Sequence, residues 1–489
     1  MKSSLAAQME QIHIGRGHHG YEAVLQQKTE GIIYAQEHEK IQATLLAKCP
    51  AHLWHNDSYR AACPRPILID TCHQQQLEEL HEALTAAITD IVQRWWTDRD
   101  ARFPERMPLE REEEKLLQKF PECLGSWRPD FLVEDSRGPE DGDATENFRI
   151  TEINARFSFN GFMHEAYGQQ ALDDMGVEAI GLKNATDPEK ILNGLFGLFR
   201  PEEPLHLLKG EEHGIDIHMF IDIVRSRFGV TPKLIKPEDL RLLPDPQGKG
   251  GYRLCCIAEN VGDRLPHSTP STLLTSQGEV LEEIHQIGME LHQRELLALE
   301  PEILRQVSLR CFNDMRTILL VHDKRMLGIV KQELQSLVLR KVLTTSQARI
   351  LDRGIVETML PGSQELIQLF QASKNLPELK NDYLLKPVRG GKGAGIVFGD
   401  EFSPGQWIAA LDRLKSPGLI SGVTCVVQRR IVPRLYDVVL KASGERLRYP
   451  LVGTYHVANG ELLGLGTWRS SGSRICANPI FQKFLVSSG

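Results

Sequence analysis

Residues 74–96, QQQLEELHEALTAAITDIVQRWW, place Leu77, Leu80, Leu84, Ile88, Ile91 and Trp95 at three- and four-residue spacing. That period predicts an amphipathic helix with one core-facing stripe and no chemistry of its own. The preceding RPILID reads as a short strand. WRPDFLVE (127–134) and FRITEINA (148–155) have strand character. Between them 134–147, EDSRGPEDGDATEN, is acidic and rich in turn formers, which predicts an exposed, solvated loop. Alternation along the second strand puts Glu152, Asn154 and Arg156 on one face and sends Ile150 and Ile153 to opposite faces. Arg128 and Asp130 are likewise two apart. Pro129 between them lacks an N–H, which predicts an edge strand or a strand start.

Farther on, IDIHMFIDIVRSRFGV predicts a helix, TPKLIKP a short strand and GYRLCCIAENVG another, so 211–260 reads as a small α/β unit. Residues 280–340 read as strongly helical, through EEIHQIGMELHQRELLAL and then DKRMLGIVKQELQSLVL. From about 381 the texture changes to strands and glycine turns. Four segments result: a helical or mixed N-terminal region (1–120), a part carrying the paired polar strands (121–210), a small α/β domain (211–300) and a glycine-loop part (301–489).

Composition narrows the function classes. The 489 residues are 41% hydrophobic and 25% charged, ordinary for a globular protein with a sizeable core. A net charge of -8 argues against nonspecific nucleic-acid binding. No window reaches the ~18 apolar residues of a membrane span, and the N-terminus has no apolar run that reads as a secretory signal. The nine cysteines are scattered, without a C-x-x-C pair or zinc spacing. They read as reduced thiols, so a cytoplasmic protein is expected. His18-His19 reads as part of a polar terminus rather than a metal pair.

The candidate chemistry begins at YLLKPVRGGKGAGIVF, residues 383–398. Gly390, Gly391, Gly393 and Gly395 free the backbone to present N–H groups to an anion, and Lys386, Arg389 and Lys392 add positive charge. A Walker A loop is excluded because Gly393 follows Lys392, and a dinucleotide fingerprint because β formers follow the glycines. What remains is strand, glycine loop, strand: either a flap over a nucleotide or a plain hairpin turn. Downstream, Ser403-Pro404 reads as N-cap and N1 of a helix. VTCVVQRRIVP is β-rich, and a hairpin turning at Asn459-Gly460 delivers Arg469 and Arg474 beyond its second strand.

This order of features resembles the ATP-grasp superfamily in its circularly permuted form, that of the eukaryotic-type glutathione synthetases and the glutathionylspermidine-synthetase-like ligases. LGSWRPDFLVE with TEINARFSFNGF looks like the R-x-D and E-x-N signature. FNDMRTILLVHDKRMLGIVKQEL looks like the segment bringing a nucleotide-binding lysine. YLLKPVRGGKGAGIVFG looks like the lysine strand and flexible loop, and CVVQRRIV like the strand leading to the adenine. The E-x-N pair here precedes the glycine loop by some 230 residues, the reverse of the unpermuted order. Two departures from glutathione synthetase, Ala-Arg-Phe after E-x-N and a basic glycine loop without its acidic residue, argue against glutathione synthesis itself.

The resemblance implies an α/β (α+β) fold with an inserted substrate domain, and an ADP-forming carbon–nitrogen ligase that makes an amide through an acylphosphate. It implies ATP and Mg2+ as cofactors, with Asp130, Glu152 and Asn154 as metal ligands. Lys324, Lys386, Arg389, Lys392 and the 390–395 backbone would hold phosphates, and Gln428 would meet the adenine. Arg128, Arg469 and Arg156 are the candidate catalytic or substrate-anchoring arginines. Expected partners are small carboxylates and amines, amino acids among them, with a homodimer as one expected assembly and neither nucleic acid nor membrane. A nucleotide-binding regulator or scaffold and a small-molecule phosphotransferase stay open as alternatives. On this reading Glu152→Gln removes ADP formation and leaves thermal stability nearly unchanged.

Overall fold

The computed structural model describes residues 8–15, 17, 19–24, 31–117, 125–136, 145–258, 272–275, 278–420, 422–476 and 480–487. His18 and residues 137–144, the middle of the acidic loop, lie outside them. The fold is mixed α/β, built around a seven-stranded sheet in which Ser126–Ser136 pairs antiparallel with both Arg446–Ala458 and Thr145–Asn154. A four-stranded sheet, Thr358–Met359, Cys425–Arg429, Tyr383–Pro387 and Val397–Phe398, carries the strands around the glycine loop.

Ser126–Ser136 is therefore an interior strand, contrary to the expectation from Pro129. The proline is accommodated because the ladder to Arg446–Ala458 is interrupted there: Thr454 pairs with Asp130 and Val457 with Trp127, which passes over Arg128 and Pro129. No hydrogen bond to that neighbour is lost to the missing N–H. The acidic loop is also shorter than its composition suggests, because its flanks are strand. Glu134 takes Arg429 at 2.7 Å and Arg149 at 2.9 Å. Glu146 is buried and accepts from Tyr436 at 2.9 Å, with His73 at 2.7 Å and Arg434 at 3.2 Å. Acidity at its described flanks marks ion pairs, one of them buried.

The helix expected from the 74–96 stripe spans Thr71–Arg94, capped by the Asp70 side chain, and all six stripe residues are buried. Ser403 caps Pro404–Arg413 as its sequence suggests. Asn459 and Gly460 turn the Arg446–Ala458 and Glu461–Leu465 hairpin, both with positive φ. Around 211–290 the chain forms a parallel sheet, Gln286–Glu290, Leu205–Lys209 and Lys233–Ile235, beside a four-stranded antiparallel one.

Val280–Glu283 and Gln286–Glu290 are thus strands, and the expected helix there begins only at Gln293. Every residue of Gln286–Glu290 is buried. A strand covered on both faces shows no alternation, so its apolar run is indistinguishable from a helix face in sequence. At the far end of the chain, Phe484–Ser487 enters a five-stranded sheet between Ile67–Ile69, to which it is parallel, and Leu182–Asn184.

Candidate active site

A bulge creates the site. Asp130 pairs with Glu152 and Phe131 with Ile150, so the register skips Thr151, whose hydroxyl donates instead to the Asp130 carbonyl at 3.2 Å. The extra residue shifts the alternation. Ile150 and Ile153, expected on opposite faces, both enter the main core, while Glu152 and Asn154 face a cleft of about 880 Å³. The bulge also turns the Thr151 carbonyl toward the other sheet, where it accepts from Lys386 Nζ at 3.2 Å and from Gln428 Nε2 at 3.1 Å.

Every residue named from the sequence lines this cleft except Lys324 and Gly395. Lys324 stands directly behind it. Its Nζ donates to the Gly390 carbonyl at 2.6 Å and lies 3.5 Å from Glu152, the same separation that Lys386 keeps from Glu152. Both lysines are more than nine-tenths buried. Burial alone would raise the Glu152 carboxyl, but Lys324, Lys386 and Arg469 outweigh it and hold it well below the usual carboxylate range. Burial in turn lowers the Lys386 ammonium, with Glu152 opposing it. The result is a paired-lysine cradle with a single ionised carboxylate between its arms.

One strand away the pattern repeats with arginines. Asp130 accepts from Arg128 Nε at 3.0 Å and from Arg469 Nη2 at 2.5 Å. Arg128 is also fixed by the Asn160 carbonyl at 3.0 Å. Both Asp130 oxygens thereby face guanidinium groups. His456 lies at the same end of the cleft, 1% exposed, and neither ring nitrogen has a partner. Burial, then Arg128 and Lys483, keep it neutral by lowering it well below its ordinary value.

The glycine loop closes another side. Gly393 and Gly395 both have φ +74°, a conformation costly to other residues. A Cβ on Gly393 would stand 2.4 Å from Ile475 Cγ2, so the loop tip rests on the segment following Arg469. Gly395 turns against Pro387 rather than facing the cleft.

Three side chains are engaged otherwise than their sequence context suggests. Arg389 is tied to Glu113 by bonds of 2.7 and 3.0 Å and to Asp323 at 3.2 Å, so it roots the loop. Gln428 spends its amide on Thr151 and on Thr358 Oγ1 at 3.0 Å and braces the two sheets. Lys392 reaches across the cleft mouth to Glu212, at 2.9 and 3.1 Å. Arg156 donates to the Arg389 carbonyl and to His322 Nε2, both at 2.7 Å. Burial, then Arg156 and Lys324, lower His322 well below its ordinary value, so it is a neutral acceptor.

Sequence reading missed Glu113, Asp323, His322, Glu212 and His456. Glu113 belongs to an acidic first turn, Arg111–Leu117, that reads as solvated, and only its complete burial distinguishes it. His322 and Asp323 adjoin Lys324, and that adjacency is the one signal that could have found them.

Over the whole chain the architecture has a counterpart of known structure, a glutathione synthetase-like effector from Globodera pallida in its apo form. The TM-score is 0.51 at 9% identity, covering 94% of this chain and 98% of that one. The "ATP-grasp enzyme ankG" of Aspergillus thermomutatus is 38% identical over 424 residues, 85% of this chain and 86% of that protein. The chain is therefore a member of the ATP-grasp superfamily with a glutathione-synthetase-like fold. Within that class it belongs to the ankG family, and residues 80–320 match the family described as the AnkG N-terminal domain. No helix among the described residues is long and apolar enough to cross a membrane.

Proposed function

We propose that the protein is an ATP-dependent carboxylate–amine ligase that activates a small carboxylic acid as its acylphosphate and passes the acyl group to an amine, releasing ADP and phosphate. The observation that carries this reading is the spacing of charge: Lys324 and Lys386 each lie 3.5 Å from Glu152, beside two arginines held by Asp130 and under a glycine loop. A triphosphate needs cations and backbone N–H groups, and a phosphorylated tetrahedral adduct needs positive charge aimed where its own charge develops.

On this reading Lys324 and Lys386 bind phosphate oxygens and the 390–395 backbone covers them. The covering loop excludes water, which would otherwise hydrolyse the acylphosphate. Arg128 and Arg469, oriented by Asp130, stabilise the acylphosphate and the adduct formed on amine attack. Arg156, oriented by His322, anchors a substrate carboxylate. The residue order, E-x-N ahead of the glycine loop, supports the circularly permuted form.

The donor set fits Mg2+ carried in on the nucleotide. Among the described residues no group of three or more acidic, histidine or cysteine side chains forms a metal site. Glu152 and Asn154 would supply the one or two oxygens that Mg2+ ordinarily takes from protein beside a nucleotide. Asn154 Nδ2 is buried without a partner, so the protein leaves the amide orientation open. When bound, the ion shields phosphate charge. Asp130 is committed to two arginines and positions them instead.

The test incubates the protein with ATP, Mg2+ and pools of amino acids and small carboxylic acids while ADP release is followed. ADP formation that requires an acid and an amine together supports the ligase. A stable phosphorylated product from a single acceptor makes it a phosphotransferase. Tight ATP binding without turnover in any pool makes it a regulator.

A further inference from the structure

Lys392, expected over the phosphates, lies instead on Glu212 at the cleft mouth. The Nζ meets both carboxylate oxygens, at 2.9 and 3.1 Å. The two partners are built differently. The Glu212 side chain is 12% exposed and lines the cleft, whereas the Lys392 side chain is 77% exposed and sits on a glycine loop. Lys392 also holds a left-handed backbone, φ +55°.

Glu212 is a largely buried carboxylate in the cleft lining. His292 Nε2 is 3.3 Å from it, and the stacked His55 and His213 rings stand nearby. Burial would raise its carboxyl, but Lys392, His292 and His55 hold it down, so it is ionised near neutrality. An ion pair with so exposed an ammonium contributes little to stability and is readily exchanged. The root of the same loop differs: Arg389 is buried on Glu113 and Asp323. The loop thus has a permanent root and an exchangeable tip.

We infer that Glu212 is the subsite for the primary ammonium of the acceptor substrate and that Lys392 occupies it in this structure, so that an arriving amine displaces Lys392 and frees it to reach the phosphates. This deepens the ligase reading and rests on it. The exchange replaces one ammonium with another, so Glu212 stays paired throughout and no buried charge is left alone. It also gives the order of events a physical basis. The loop cation becomes available to the nucleotide once the acceptor is in place.

The test measures binding of Mg2+ and a non-hydrolysable ATP analogue by calorimetry, with ethylammonium chloride as the amine probe and tetramethylammonium chloride at equal ionic strength as its control. In the native protein ethylammonium is expected to tighten analogue binding roughly two- to fivefold, the range set by the strength of a surface ion pair. Glu212→Gln is expected to bind the analogue that much more tightly from the outset and to ignore ethylammonium. Lys392→Met is expected to ignore it too, and to bind the analogue more weakly. The subsite is overturned if ethylammonium has no effect on the native protein, or an equal effect on Glu212→Gln. Absence of analogue binding in every form would instead overturn the nucleotide reading, and the subsite with it.

Discussion

Asp130 and Glu152 stand directly opposite each other on paired antiparallel strands, yet they face different cations. Asp130 holds the Arg128 and Arg469 guanidinium groups, while Glu152 sits between the Lys324 and Lys386 ammonium groups. One strand pair thereby separates an arginine site from a lysine site, which on the proposed ligase reading serve the reacting carbonyl and the phosphates. Replacing either acid is expected to have distinct consequences.

Glu152→Gln is expected to lower ADP formation about a hundredfold, since it removes the ionised group that organises the phosphate end. The structure changes the expectation for stability. Two buried lysines lose their counter-charge, at a cost on the order of 2 kcal/mol. Thermal denaturation should show a lower midpoint for the variant, restored largely by an ATP analogue whose phosphates supply the missing negative charge.

Asp130→Asn is expected to free Arg128 and Arg469 from their shared anchor. Turnover should fall about a hundredfold while affinity for the ATP analogue changes less than about threefold, because the lysine cradle is untouched. Equal losses in turnover and nucleotide affinity would show that the two sites do not work separately.

Gln428→Ala tests whether that side chain reads the base or braces the sheets. Loss of its two hydrogen bonds should cost about 2 kcal/mol of stability, and the preference for ATP over GTP should persist. A lost preference with unchanged stability would return Gln428 to the adenine.

His456 gives a pH prediction whose sign is fixed. Burial depresses its folded value well below that of an ordinary histidine, so below about pH 6.5 the unfolded chain takes up a proton that the folded one refuses. Stability from this residue is intact above that value and falls as the pH drops, by up to about 1.4 kcal/mol per pH unit. Denaturant titrations from pH 7.5 to 5 should show the native protein losing stability relative to His456→Gln over that interval. Parallel curves would mean that the folded ring takes up its proton as readily as the unfolded one.

Sequence made the E-x-N strand, the Lys386 strand and the glycine loop legible, because each is a local pattern of a few residues. It could not tell what Arg389 and Lys392 would bind. Their partners, Glu113 and Glu212, lie far away in sequence and in segments that read as ordinary surface. The Thr151 bulge was likewise invisible. A period-two reading assumes unbroken pairing, and the assumption failed at the residue whose carbonyl joins the two sheets. Pro129 misled for the same reason, since a gap in one ladder cannot be read from one strand.

The strand Phe484–Ser487 lies between Ile67–Ile69 and Leu182–Asn184. During synthesis the first two hundred residues must therefore wait, with the middle of their sheet open, until position 487 has cleared the ribosome. Two exposed strand edges facing a gap invite pairing with other chains in the interval. Yield in a cell should then respond more to chaperone supply than the stability of the finished molecule would suggest.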